Sequence, residues 1–197
     1  SEGLSVAMRE SLTTGLLDIA LLYNTAPAPG IEITALLEED LFLVQRRPAA
    51  QTDADAAARA GIPVPRPALT QLPLVIPTRP NSIRMLVESE LAAQGGRPQI
   101  SLEIDGVAAI LDLVADGAGC AVLPMNAVTT SGKSEVFSTR PIHGAGSDGE
   151  DAEASGNTRL RSKLFMAVSS QRPATLTQQA MAELIRTTLQ ALYRSPL

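Results

Sequence analysis

The stretch from Asp105 to Pro124 limits the fold of this chain more than any other. Val107, Ile110, Leu111 and Val114 recur at i, i+3, i+4 and i+7, the spacing of one helix face. Gly117 and Gly119 follow, and glycine enters the left-handed region at little cost, so the helix is expected to end there. Cys120 to Leu123 is an unbroken apolar run, the pattern of a strand buried on both faces, and Pro124 stops it. A helix, a glycine turn and a buried strand in succession point to an α/β architecture.

The rest of the chain reads the same way. Leu4, Met8, Leu12 and Leu16 repeat every four residues and predict a helix over residues 4–15, with Ser5 able to cap it and Gly15 ending it. Leu17 to Tyr23 reads as a buried strand. Ile31 to Val44 holds strand-like runs around Ile33 and at Leu41–Val44, interrupted by Glu38, Glu39 and Asp40. Residues 46–70 are rich in Ala and Pro, with a short helix expected at Asp53–Ala60. Leu72 to Pro77 is a further continuous strand. Asn81 or Ser82 then caps a helix carrying Ile83, Leu86, Val87 and Leu91, which ends at Gly95-Gly96. Strands are expected at Ile100–Ile104, Glu135–Ser138 and Leu164–Val168. Thr175 and Gln178 make a capping box for a last helix bearing Met181, Leu184, Ile185 and Leu192. This alternation predicts a largely parallel sheet with helices packed on it. Residues 143–158 carry four glycines and four acids with almost nothing apolar, and predict a mobile acidic loop.

Composition removes several function classes. Of 197 residues, 45% are apolar and 19% charged, the profile of a globular domain, and the net charge of −5 argues against direct contact with DNA. Arg159, Arg161 and Lys163 are the one basic cluster and read as a solvated edge before a strand. A single cysteine rules out a disulfide framework, and Cys120 reads as a small buried hydrophobe. The one histidine, His143, falls in a Pro/Gly-rich stretch with no nucleophile elbow elsewhere, so a Ser-His-Asp set is not expected. Gly117-x-Gly119 ends a helix instead of opening one, so it is no dinucleotide fingerprint. No run approaches the ~20 apolar residues of a membrane span. No signal peptide, phosphate loop or metal constellation is visible. The chain opens on Ser1 without an initiator Met, so an upstream part is expected. The absence of a catalytic set favours a binding module over an enzyme, and no cofactor is expected.

In open α/β sheets ligands bind at the carboxyl ends of strands, near helix N-termini. Three such places stand out. Thr78 to Ser82 lies between a strand and a helix, where free amides with Asn81, Ser82, Arg79 and Arg84 suit a carboxylate, sulfonate or phosphate. Asn81 or Ser82 capping its own helix is the alternative, and both hold together because a cap leaves other amides free. Asp105-Gly106 opens the helix of the main motif, and Asp105 reads first as its N-cap. Asp112 on that helix reads as an exposed carboxylate. Leu123-Pro124-Met125 follows a strand and reads first as a strand stop, second as a ligand contact.

Several patches together carry a family resemblance. They are Glu2-Gly3-Leu4-Ser5; Leu12 to Leu21 with Gly15 and Asp18; Glu38 to Val44; Leu72 to Pro77; the opening motif; Ser162 to Ala167; and Arg172 to Thr175. In this order they resemble the effector-binding domain of LysR-type bacterial transcriptional regulators. Pro80 to Arg84 and Ile104 to Gly106 look most like the branch that includes nitrogen-assimilation regulators. The resemblance implies a two-lobed fold like the type 2 periplasmic solute-binding proteins, with Rossmann-like lobes joined by two crossing strands near Leu41–Val44 and Leu164–Val168. One lobe would hold residues 1–43 and 165–197, the other 44–164. It implies a small anionic or aromatic effector in the cleft, met by Ser5, Arg79, Asn81, Ser82, Asp105 and Pro124. It also implies a dimer or tetramer through Met8, Leu12, Arg84 and Val87 on antiparallel helices, cytoplasmic location, and promoter contact through an N-terminal helix-turn-helix that these residues do not include. The domain's usual first strand, helix and strand are likewise not included, which would leave a sheet edge and apolar faces open. A free solute-binding protein of the same fold is the second expectation, and an enzyme on that scaffold the third.

Overall fold

The computed structural model describes residues 5–48, 62–144, 159–171 and 173–194. The short helix expected at Asp53–Ala60 and nearly all of the acidic loop at 143–158 lie outside the described residues. The chain divides into two compact units, one of residues 1–38 and 163–197, the other of residues 39–162.

In the first unit α1 (Ser5–Thr13) precedes β1 (Ile19–Tyr23). Gly15 takes φ +73 between them. That turn ends the helix early, leaving Leu16 exposed instead of on the helix face as its spacing predicted. β1 pairs antiparallel with β8 (Arg161–Ser169), setting Ile19 against Val168 and Tyr23 against Leu164. β1 is buried on alternate residues, so it is not the fully buried strand its apolar run predicted. Leu12, Ala20, Leu22, Ile31 and Ala167 form this unit's core. The last helix, α5 (Leu176–Arg194), starts at the predicted box: Gln178 Oε1 accepts from the Thr175 amide at 2.7 Å, and Thr175 Oγ1 accepts from the Gln178 amide at 3.2 Å.

β2 (Ile31–Arg46) is one unbroken strand of 16 residues, where the acids at 38–40 had predicted an interruption. The acids are accommodated because each has a partner. Glu38 meets Lys163 at 3.0 Å, Asp40 meets Arg159 and Arg161, and buried Glu39 accepts from Asn126 at 3.2 Å. Burial pushes the Asp40 carboxyl up, but its hydrogen bonds to the two arginines outweigh this and hold it below the ordinary value. The solvated edge read at Arg159, Arg161 and Lys163 is therefore an ion-paired one.

The second unit is built on the far half of β2. It pairs antiparallel with β6 (Ala121–Pro124) and with β7 (Phe137–His143). β7 pairs parallel with the short β3 (Val64–Pro65), which leads into a 3-10 turn over Arg66–Gln71. β4 (Pro73–Ile76) pairs parallel with β5 (Gln99–Glu103), and Leu74 bridges in parallel to Cys120. Among the described residues most pairings are thus antiparallel, against the largely parallel sheet expected. The antiparallel strands β1, β2, β7 and β8 are only partly buried, so the expectation of parallel pairing comes from the alternation of helix and strand and not from strands enclosed on both faces.

Two apolar layers sandwich this sheet. Leu74, Ile76, Cys120 and Val122 pack with Val87 and Leu91 of α2 (Ser82–Ala92). Val75, Ala121 and Leu123 pack on the other side with Ile110, Leu111 and Val114 of α3 (Val107–Ala115) and Val128 of α4 (Met125–Thr129). Val107, the first residue of α3, stays exposed. Cys120 is buried as read, and burial pushes its thiol up to about 11, which makes it inert at neutral pH. His143 ends β7 beside Pro65, so it belongs to a strand and not to the loop predicted for it.

Gly119 fixes the approach of β6 to β4. A Cβ there would lie 2.4 Å from the Pro73 carbonyl oxygen, which already accepts from the Cys120 amide at 2.9 Å and so cannot retreat. Gly119→Ala is expected to destabilise the chain by about 3 kcal/mol, measured by denaturant unfolding; a loss below about 1 kcal/mol would contradict this account.

Candidate functional site

β5, β4 and β6 run parallel, so their carboxyl ends emerge at one edge of the second unit. The three places singled out from sequence lie at these ends: Thr78 to Ser82 after β4, Asp105-Gly106 after β5, and Pro124 as the last residue of β6. The parallel run of these strands brings the three places to one edge of this unit. Ser5 lies in the other unit, where its hydroxyl accepts from the Tyr23 amide at 3.2 Å.

Asn81 is the N-cap of α2. Its Oδ1 accepts from the amides of Ile83 at 2.9 Å and Arg84 at 3.4 Å. Asp105 behaves differently from the N-cap expected. Gly106 takes that position at φ +95, with no side-chain cap, while the Asp105 carboxylate turns to Thr78. The Thr78 amide donates to Oδ1 at 3.0 Å and its hydroxyl to Oδ2 at 2.6 Å. The hydroxyl bond first, and the amide bond second, hold the Asp105 carboxyl below the ordinary range. The loop after β4 is thereby tied to the loop after β5.

The arginines are less available than the sequence implied. Arg84 is buried, donating to the Pro77 carbonyl at 3.0 Å, to Glu88 at 2.9 Å and to Glu103 at 2.9 Å. Its hydrogen bond to Glu103 leads in raising its proton affinity above the ordinary value. Arg79 is exposed and meets Glu88 at 2.8 Å. Burial pushes the Glu88 carboxyl up, and the bonds from Arg79 and Arg84 outweigh it and pull it down. Arg84 thus braces the loop and does not face a ligand.

Sequence reasoning missed Glu39 and Asn126, which meet beside Pro124. Leu41 pairs with Pro124, so β2 carries Glu39 past the end of β6. The signal was there in the period of two: Glu39 shares a strand face with buried Leu41 and Leu43. Asp112 is exposed as expected and pairs with Lys133 at 2.7 Å. Leu12, Arg84 and Val87, expected at a dimer contact, are buried within their own units, so their side chains offer no outer surface. Met8 packs against the first unit's core, and Val6 and Met85 are the exposed large apolar residues of α1 and α2. A groove of about 540 Å³ in the first unit, lined by Glu32, Thr34, Met166, Gln178 and Arg186 among others, contains none of the residues expected to meet an effector. Among the described residues no cluster of His, Cys, Asp and Glu could hold a metal, and no helix is long and apolar enough to cross a membrane.

A domain of this architecture, with strand ends gathered at one edge, is of the ligand-binding class. Residues 1–190 match the family described as the LysR substrate binding domain, and the chain belongs to that family. It is 31% identical over 128 residues to the nitrogen assimilation regulatory protein nac of Escherichia coli K12, a stretch covering 64% of this chain and 38% of that protein. Its fold is similar to the BenM effector binding domain with its effector benzoate, at TM-score 0.70 and 20% identity, covering all of this chain and 80% of that one. It is also similar to the effector binding domain of QuiR in complex with shikimate, at TM-score 0.69 and 14% identity, covering 96% and 79%. These domains have the type 2 periplasmic-binding-protein-like fold, and the family is one of transcriptional regulators.

Replacing Arg84 with Met leaves Glu88 facing only Arg79 and takes the partner from half-exposed Glu103. A loss of about 2–3 kcal/mol is expected, below the range for a fully enclosed pair. Glu88 and Glu103 have lowered folded values, so their contribution is complete above the unfolded value of about 4.3 and is lost as pH falls through the folded ones. Unfolding measured from pH 7 to pH 3 should show this loss in the native chain and a shallower one in Arg84→Met; equal slopes would count against the network.

Proposed function

We propose that this chain is the effector-sensing part of a LysR-type regulator and that a small polar metabolite binds at the edge formed by Thr78 to Ser82, Asp105 and the Pro124 neighbourhood. One observation carries the proposal: the carboxyl ends of β4, β5 and β6 share an edge, and the first two loops there are joined through Thr78 and Asp105. Family membership supports it, as do domains of similar fold, one with its effector benzoate and one in complex with shikimate. Asn81 Nδ2 and the Ser82 hydroxyl are the donors assigned to the ligand, and Arg79, ion-paired to Glu88, is not. Ser5 is assigned on its family position alone.

The chain spans 38% of the length of the curated relative named above. The activity of a whole regulator is therefore part of the proposal. It comprises cytoplasmic location, self-association through the outer faces of α1 and α2 where Val6 and Met85 are exposed, and promoter binding through a helix-turn-helix segment. An effector alters DNA binding only as far as it favours one arrangement of the assembly over another. Sensing, and not turnover, is the role assigned.

A ligand at one hundred times its Kd stabilises the folded chain by about 2.7 kcal/mol. Shikimate or benzoate is expected to raise the melting temperature of the chain, and Asn81→Ala to abolish the rise beyond the ~1 kcal/mol that loss of the cap costs by itself. A ligand-induced rise of the same size in Asn81→Ala would place the binding site elsewhere.

A further inference from the structure

The contact between Thr78 and Asp105 has only one possible polarity. An ionised carboxylate has lone pairs and no proton, so both hydrogens come from Thr78, one from its amide and one from its hydroxyl. A hydroxyl has a single hydrogen. With that hydrogen committed at 2.6 Å, Thr78 Oγ1 retains lone pairs and nothing to donate. The lowered proton affinity of Asp105 keeps the pair in this state at neutral pH. Asn81, three residues on, has the opposite polarity: its Oδ1 is committed to the amides of α2, leaving Nδ2 as a donor. The loop thus holds an acceptor at Thr78 and a donor at Asn81.

We propose that Asp105 is a positioning residue that makes Thr78 an obligate hydrogen-bond acceptor, so that this site selects an effector presenting a hydroxyl or N–H group to Thr78 and rejects a carboxylate or phosphate oxygen there. The proposal rests on the effector-binding role given above. A carboxylate oxygen at Thr78 would meet lone pairs and the nearby Asp105 charge, whereas a ligand hydroxyl supplies the missing hydrogen. Shikimate carries hydroxyl groups besides its carboxylate, and benzoate has a carboxylate alone. The two therefore separate the requirement for a donor from general recognition of acids.

The test compares shikimate and benzoate by calorimetry on the full chain and on three variants. The native chain is expected to favour shikimate. In Asp105→Asn the amide nitrogen can donate to Thr78 Oγ1, releasing the Thr78 hydroxyl to point its hydrogen at the ligand. The shikimate-to-benzoate affinity ratio should then fall by about tenfold, the worth of one hydrogen bond. Thr78→Val should lower the ratio similarly without touching Asp105, and Thr78→Ser should keep it. A native chain that favours benzoate, or a ratio unchanged in both Asp105→Asn and Thr78→Val, would overturn the polarity while leaving the effector role standing. Binding of neither acid would overturn the role and the polarity with it.

Discussion

The buried guanidinium of Arg84 is the constraint on which the candidate site depends. It reaches the Pro77 carbonyl at the exit of β4, Glu88 one turn along its own helix, and Glu103 at the end of β5. A guanidinium cannot be deprotonated in a protein, so its burial is tolerated only with acceptors around it, and each of the three Arg84 nitrogens has one. Those acceptors tie together the loop after β4, the first turns of α2 and the end of β5. Thr78 hydrogen-bonds Asp105 and Asn81 hydrogen-bonds the amides of α2, on either side of the backbone that Arg84 braces.

Close approach within the sheet is the second constraint. Gly119 lets β6 lie against β4 where any side chain would strike the Pro73 carbonyl. The parallel bridge from Leu74 to Cys120 brings the ends of β4 and β6 to the same edge. A glycine read from sequence as a helix stop therefore also determines which loops are neighbours. The helix stop itself belongs to Gly117, at φ +85.

What the sequence disclosed was local. The Asn81 cap, the Thr175–Gln178 box and the buried run from Cys120 depend on residues within a few positions of one another, and all are present. The family likewise followed from the order of short patches. What stayed hidden depended on distant partners. Glu38, Glu39 and Asp40 looked like a break in a strand because Lys163, Asn126, Arg159 and Arg161 are far away in the chain. Asp105 looked like a cap because Thr78 lies 27 residues earlier. Strand direction was hidden for the same reason: it is set by which distant strands pair, as β1 with β8 and β2 with β7. Arg84 and Val87 were placed at an interface by the family resemblance, which points to a helix but not to which of its faces its own unit covers.

Charge accounting limits how this edge could recognise an acid. Arg79 and Arg84 supply two positive charges, and Glu88 and Glu103 hold both in ion pairs. Asp105 adds a further negative charge, and its described partners are the neutral amide and hydroxyl of Thr78. The edge therefore has no net positive field with which to draw an anion. Recognition of a carboxylate by this unit must come from directed neutral donors, namely Asn81 Nδ2, the Ser82 hydroxyl and free amides at the start of α2. Such donors discriminate by geometry more than by charge, because each is aligned with one lone-pair direction and is strengthened only when the ligand excludes water. A sensor built this way would distinguish acids by the groups they carry beside the carboxylate.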